Sequence, residues 1–129
     1  VDRLPEYWPE LTAILDEHKI LYTIAGHLGN GNLHVIPLMD FNDPKTDALI
    51  MELSEKVYPI VRKYGGSMTA EDNDGLVRTP YVKLMFGEKI FGVFQEFKDI
   101  VDPHKMFNPK KKVGATMEDM EKYMIRPKK

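Results

Sequence analysis

The sequence contains no cysteine, so neither a disulfide framework nor thiolate chemistry is available to it. A reducing compartment fits that absence, and a cytoplasmic location is the expectation. It also lacks an apolar run near the roughly 20 residues that a membrane-spanning helix needs, and no signal peptide stands at its start. An excess of one charge is missing too. Lys plus Arg total 18 against 20 Asp plus Glu, a formal net charge of −2, which provides no broad cationic face and excludes nucleic acid as the expected partner. The lysines that do cluster, Lys110 to Lys112 and again Lys128 and Lys129, read as solvated tail. Absent motifs exclude further classes. Gly29-Asn30-Gly31 opens no G-x-G-x-x-G dinucleotide fingerprint, and there is no lysine-bearing phosphate loop and no serine elbow.

What is present is a chain of 129 residues, 43% hydrophobic, enough to build the core of one domain. It begins at Val1 rather than Met, and the expectation is a fragment of a longer protein. Tyr7, Trp8, Leu11, Ile14, Leu15 and His18 recur at three- and four-residue spacing and predict an amphipathic helix over residues 5 to 18. Two short β-rich runs, Leu21 to Ala25 and Leu33 to Leu38, flank Gly26-His27-Leu28-Gly29-Asn30-Gly31-Asn32. Three glycines in seven residues predict a tight connection with backbone at positive φ. So short a connection cannot make a parallel crossover, so the strands pair antiparallel. Asn42-Asp43-Pro44 opens a second helix with the stripe Leu49, Leu53, Val57, Ile60, Val61 and Tyr64. Pro59 is expected to kink it and Gly65-Gly66 to end it. Ser67 to Ala70 reads as a strand. Thr79-Pro80 reads as the start of a third helix, and Gly87 as its boundary with a longer one. The aromatic stripe Phe91, Phe94 and Phe97 of that longer helix is expected to be core. Asp102-Pro103 stops it, and Met117 to Met124 forms one last helix. Strands among helices make the expected class α+β, with helices on one face of a small antiparallel sheet.

His27 and His34 bracket the glycine-rich connection, so a strand–turn–strand brings both imidazoles to one end of the sheet. A pair of capping or surface histidines beside a phosphate-type loop is the competing interpretation. Glu71, Asp72 and Asp74 follow the next strand-like run, and a carboxylate from this cluster completes a set of two nitrogens and one oxygen. Such a set, with open positions for substrate, suits Zn²⁺, Mn²⁺ or Fe²⁺ as Lewis acid. An acidic turn ended by Gly75 explains the same residues without a metal. His18 and His104 have no such company and read as structural.

These residues resemble a known family. Gly26-His27-Leu28-Gly29-Asn30-Gly31-Asn32-Leu33-His34 is similar to the G-H-x-G-[DN]-G-N-x-H signature of FAD-linked oxidases of the vanillyl-alcohol-oxidase type. The branch concerned contains D-lactate dehydrogenase, the flavin subunit of glycolate oxidase and D-2-hydroxyglutarate dehydrogenase. Gly65-Gly66-Ser67 followed by Ala70 to Pro80 resembles its second signature, G-G-S-x-x-x-E-H-[GN]-D-G-x-x-R. Phe97-Lys98, Asp102-Pro103 and Phe107-Asn108-Pro109 resemble its closing F-K-x-x-x-D-P-x-x-x-x-N-P.

The resemblance implies a ferredoxin-like α+β substrate domain over residues 1–113, present only in part, followed by a basic tail over 114–129. It implies His27, His34 and Glu71 as ligands of a divalent metal, Zn or Mn. Asn108 would lie near the edge of FAD, and Arg78 near the substrate. The flavin would be bound mainly by an N-terminal domain outside this sequence, joined in cis or in trans. Asp72 stands where the family has the histidine that takes the substrate's hydroxyl proton, so it becomes the candidate catalytic base. The implied reaction is hydride transfer from a small 2-hydroxy acid to flavin, reoxidised by an electron-acceptor protein. An open sheet edge predicts a homo-oligomer. The alternative is a metal-binding or interaction module derived from that domain that catalyses nothing.

Overall fold

A computed structural model describes residues 1–124; Lys128 and Lys129, read above as tail, lie outside the described residues. The chain divides into two compact units, Val1–Glu71 and Asp72–Met124.

In the first unit, α1 (Leu4–Glu17) carries the predicted stripe. Leu11 and Leu15 are almost wholly buried, with Tyr7 and Ile14 packed beside them. Each such leucine contributes roughly 1.5–3 kcal/mol by leaving water. The chain then forms β1 (Tyr22–Ala25) and β2 (His34–Pro37), antiparallel as expected, with Tyr22 opposite Pro37 and Ala25 opposite His34. That register sorts the side chains by face. Tyr22, Ile24 and Val35 pack onto the core of Leu11, Leu15 and Leu53, so alternation sends Ala25, His34 and Ile36 to the other face.

α2 (Thr46–Lys63) adds Leu49, Leu53, Val57 and Ile60 to the core and passes through Pro59 as one continuous helix. It ends as the glycine pair predicts. Gly65, at φ 73°, donates to the Arg62 carbonyl and Gly66 donates to Val61, each at 2.9 Å, the paired bonds of a Schellman stop. The strand expected at Ser67 to Ala70 does not form. The Ser67 hydroxyl lies 2.9 Å from that of Thr69, and Ala70 takes φ 45° and donates back to the Ser67 carbonyl. Local serine and threonine bonding has curled the segment into a turn.

The second unit holds α3 (Gly75–Arg78), a 3₁₀ turn at Thr79–Tyr81, α4 (Val82–Val101) and α5 (Met117–Lys122). Gly87 leaves helical geometry at φ 78° and ψ 166°, as its position predicts. Thr116 and Asp119 exchange side-chain bonds of 3.2 and 3.0 Å with each other's amides, a capping box that starts α5. Two expectations fail here. Phe97 is 65% and Ile100 78% exposed, so the far half of the α4 stripe is not core. Within this unit α3 and α5 have 4 and 6 residues, too few to cover a helix of 20. Nor are the lysines of 110–112 all solvated tail. Lys110 pairs with Asp119, and Lys112 Nζ lies 2.7 Å from Asp74 Oδ2. The fold is α+β, with a two-stranded antiparallel sheet and the proportions of a partial domain.

Candidate functional site

Residues 26–33 connect the two strands through a 3₁₀ turn, Leu28–Asn30. Asn30 donates to the His27 carbonyl at 2.9 Å and Gly31 to Leu28 at 2.8 Å, and Gly31 closes the turn at φ 72°. Gly26 lies so close to the chain's return that a Cβ built on it would sit 2.3 Å from the Asn32 carbonyl oxygen. Only glycine permits that approach. The pinch holds His27 and His34 at the same end of the hairpin.

The turn after α2 delivers Glu71 to the same place. His27 Nε2 lies 3.0 Å from Glu71 Oε2, and His34 Nε2 lies 3.5 Å from Glu71 Oε1. All three side chains are about half exposed. The His27 imidazole is the main cause holding the Glu71 carboxyl below its ordinary value. Desolvation opposes it, and the Asn32 amide and the charges of both histidines assist. The three residues assigned from the sequence are therefore together, although among the described residues no group of three His, Cys, Asp or Glu side chains stands ready as a cation cage. Both imidazoles instead close onto the carboxylate.

Two imidazole nitrogens and a carboxylate are donor types that a divalent cation takes, although the His34 contact of 3.5 Å is longer than neighbouring ligands of one metal show. Two atoms each about 2.1 Å from a metal and separated by 90–110° lie about 3.0–3.4 Å apart. His27 Nε2 also faces Asn32 Nδ2 at 2.9 Å. A ring nitrogen offers one proton or one lone pair, so it cannot satisfy an amide donor and a carboxylate acceptor together. Asn32 is buried, and its Oδ1 has no hydrogen-bond partner. The Asn32 amide nitrogen is instead served by Glu71, whose carboxyl it helps to hold below the ordinary value. Asn32 stands directly before the second apolar run of the sequence, and its burial was not foreseen from that position.

The other assigned residues lie in the second unit. Asp72 is exposed, with Oδ2 4.0 Å from Arg78 Nη1, and the same guanidinium nitrogen donates to the Asn73 carbonyl at 3.1 Å. Asn108 is exposed at φ 45°, just after a loop built on Asp102. That buried carboxylate accepts from Lys98 Nζ at 2.5 Å and from the amides of Met106 and Phe107 at 2.8 and 3.0 Å. His18, read from the sequence as structural, has its Nε2 3.0 Å from Lys56 Nζ, from which it accepts.

A family model described as FAD linked oxidases, C-terminal domain, matches residues 1–112. The chain is 36% identical over 110 residues to a D-2-hydroxyglutarate dehydrogenase of Escherichia coli (strain K12), covering 85% of this chain and 11% of that protein. It is 28% identical over 121 residues to a probable mitochondrial D-lactate dehydrogenase of Danio rerio, covering 94% of this chain and 24% of the relative. A D-lactate dehydrogenase of Archaeoglobus fulgidus is 27% identical over 111 residues, 86% of this chain and 24% of its own length. The chain thus spans only about a tenth to a quarter of these curated relatives. No solved structure matches.

Proposed function

The chain belongs to the family of FAD linked oxidases, C-terminal domain, and we propose that it supplies the metal and substrate site of an FAD-dependent 2-hydroxy-acid dehydrogenase. The convergence of His27 and His34 on Glu71 carries this reading. The relatives named for D-2-hydroxyglutarate and D-lactate dehydrogenases support D-2-hydroxy acids as the substrate class, with glycolate as a smaller member to be tested. His27, His34 and Glu71 hold a divalent cation, Zn or Mn, which polarises the substrate's 2-hydroxyl when bound. FAD would be held mainly by protein outside these 129 residues and would supply the hydride acceptor. Asn108 would lie near its edge, a role consistent with an exposed residue after a loop braced by Asp102.

This chain's own residues then bind, orient and deprotonate. Arg78 attracts the substrate carboxylate, and Asp72 takes the hydroxyl proton. The 4.0 Å between the Arg78 guanidinium and the Asp72 carboxylate supports pairing these two roles. Aspartate near pKa 3.9 is intrinsically a weaker base than histidine near 6.5, by about 3.5 kcal/mol, so turnover is expected to gain from Asp72→His.

The test is elemental analysis of the full chain after dialysis against Zn²⁺ or Mn²⁺. One equivalent retained by the parent and lost in the His27→Ala, His34→Ala double variant supports the site; equal content in both refutes it. Activity is read on the longer protein carrying this chain, as bleaching of flavin absorbance by D-2-hydroxyglutarate, D-lactate or glycolate. Metal retention with no bleaching by any of the three, in the parent and in Asp72→His, favours the second reading. That reading is a non-catalytic metal-binding module, and the residue at Asp72 is the observation on its side.

A further inference from the structure

The far end of α4 presents apolar side chains that the described residues leave uncovered. Phe97, Ile100 and Val101 share one face of the helix at three- and four-residue spacing, and all three are more than half exposed. The chain then turns back, and Met106 and Phe107 bring side chains 72% and 68% exposed to the same end. The loop that carries them is held in place. The buried Asp102 carboxylate accepts from the amides of Met106 and Phe107, and the Lys98 ammonium donates to both Asp102 and the Phe107 carbonyl. A buried carboxylate therefore orders two side chains that bury little of their own surface. An aromatic side chain offers about 150–250 Å², so Phe97 and Phe107 alone expose roughly 200–330 Å². The largest apolar patch of an ordinary monomer is about 300–600 Å², and Ile100, Val101 and Met106 carry this one into that range.

We propose that this end of α4, with Met106 and Phe107, is the surface on which the flavin-holding part of the longer protein docks. Three observations select that occupant. The chain spans only about a tenth to a quarter of its curated relatives, and its family is that of FAD linked oxidases, C-terminal domain. The patch also runs directly into Asn108, placed near the FAD edge above, and the inference rests on that reading. A second copy of this chain, by contrast, fits poorly. Ile90, Val93, Phe97 and Ile100 form an exposed seam at spacings of three, four and three residues. An antiparallel pair matching Ile90 with Ile100 and Val93 with Phe97 sets Glu96 beside its own mate, a like-charge contact. The bracing at Asp102 favours docking too, because an ordered platform loses little freedom when it is covered.

The experiment is hydroxyl-radical footprinting, read by mass spectrometry, of the full chain and of the longer protein that carries it. Each residue's oxidation rate is referred to that in the urea-unfolded protein. In the chain alone, Phe97, Met106 and Phe107 should react freely at every protein concentration. In the longer protein with FAD bound they should be protected about fivefold or more, because the core of an interface excludes water. Equal reactivity in the two proteins overturns the proposal. Protection that appears in the chain alone as its concentration rises assigns the face to a second copy and overturns it as well. Phe97→p-benzoylphenylalanine in the longer protein then identifies the occupant. Its photo-cross-links should fall in the part that keeps FAD after limited proteolysis, and cross-links confined to other parts overturn the assignment. The footprint needs no substitution, so it decides even where that variant fails to fold. A longer protein that holds no FAD overturns the flavin reading and this inference with it. One that holds FAD while all three residues stay reactive overturns this inference alone.

Discussion

Replacing Lys112 by methionine should destabilise the second unit by several kcal/mol, although sequence reasoning placed this lysine in a solvated tail. Its ammonium lies 2.7 Å from Asp74 Oδ2, and the Asp74 side chain has no exposed surface. The same ammonium stands 4.8 Å from the ring centre of Phe86 and 5.1 Å from that of Phe94. Methionine keeps the length and apolar stem but leaves a buried carboxylate without its cation. Removing one partner of a buried pair costs about 3–5 kcal/mol. The Lys112 side chain is 38% exposed, so water screens part of the pair and the lower end applies, about 3 kcal/mol. With a urea slope of about 1–3 kcal/mol/M, the midpoint should fall by about 1–3 M. The sole tryptophan, Trp8, belongs to the first unit. The readout is therefore urea-dependent hydrogen exchange of the α4 and α5 amides. Asp74→Asn in the same chain removes the stranded charge and should recover most of the loss. A Lys112→Met cost under about 1 kcal/mol, or a double variant no better than the single one, would refute the reasoning.

Gly26→Ala should disturb both fold and site, because φ 141° is hostile to an L side chain and the new Cβ meets backbone at 2.3 Å. Strain of about 1–3 kcal/mol lowers the melting temperature by about 10 °C, and Zn²⁺ retention should fall with it; an unchanged melting curve by circular dichroism contradicts this. Asp102 gives an acid limit. Lys98 and then the Met106 and Phe107 amides, against desolvation, hold its carboxyl below the ordinary value. A depressed pKa contributes stability that is present above the unfolded value of about 3.9 and lost as pH falls through the folded one. Urea titrations stepped down from pH 5 should show that loss in the parent and a shallower one in Asp102→Asn. Identical slopes would remove Asp102 from the account.

What the sequence made legible is what local spacing controls. The period of Leu11 and Leu15 located a buried stripe, the seven residues between the two β-rich runs forced antiparallel pairing, and Gly65-Gly66 marked a helix end. The site was legible because His27 and His34 sit at two ends of one short hairpin connection. The failures share a cause, since each turned on partners distant in the chain or on competing local bonds. Ser67 to Ala70 has strand-like residues, yet the Ser67 and Thr69 hydroxyls captured the backbone. Lys112 is the partner of a buried carboxylate only because Asp74, 38 positions earlier, lies beside it. Phe97 has core chemistry, and the short α3 and α5 leave it uncovered. Asn32 could not be separated from an ordinary turn residue until its burial was known.

The hairpin that presents both imidazoles also sets an order of assembly. His27 and His34 are brought together by a loop that closes within a few residues, whereas Glu71 is 44 positions from His27. The longer closure costs about 1.6 kcal/mol more in chain entropy, by the logarithmic dependence on loop length. Between them runs α2, whose Leu49, Leu53, Val57 and Ile60 must dock on the hairpin before its end can deliver the carboxylate. On the proposed metal reading, a cation that needs all three groups would select molecules in which α2 has already docked, and its binding rate during refolding would time that single event.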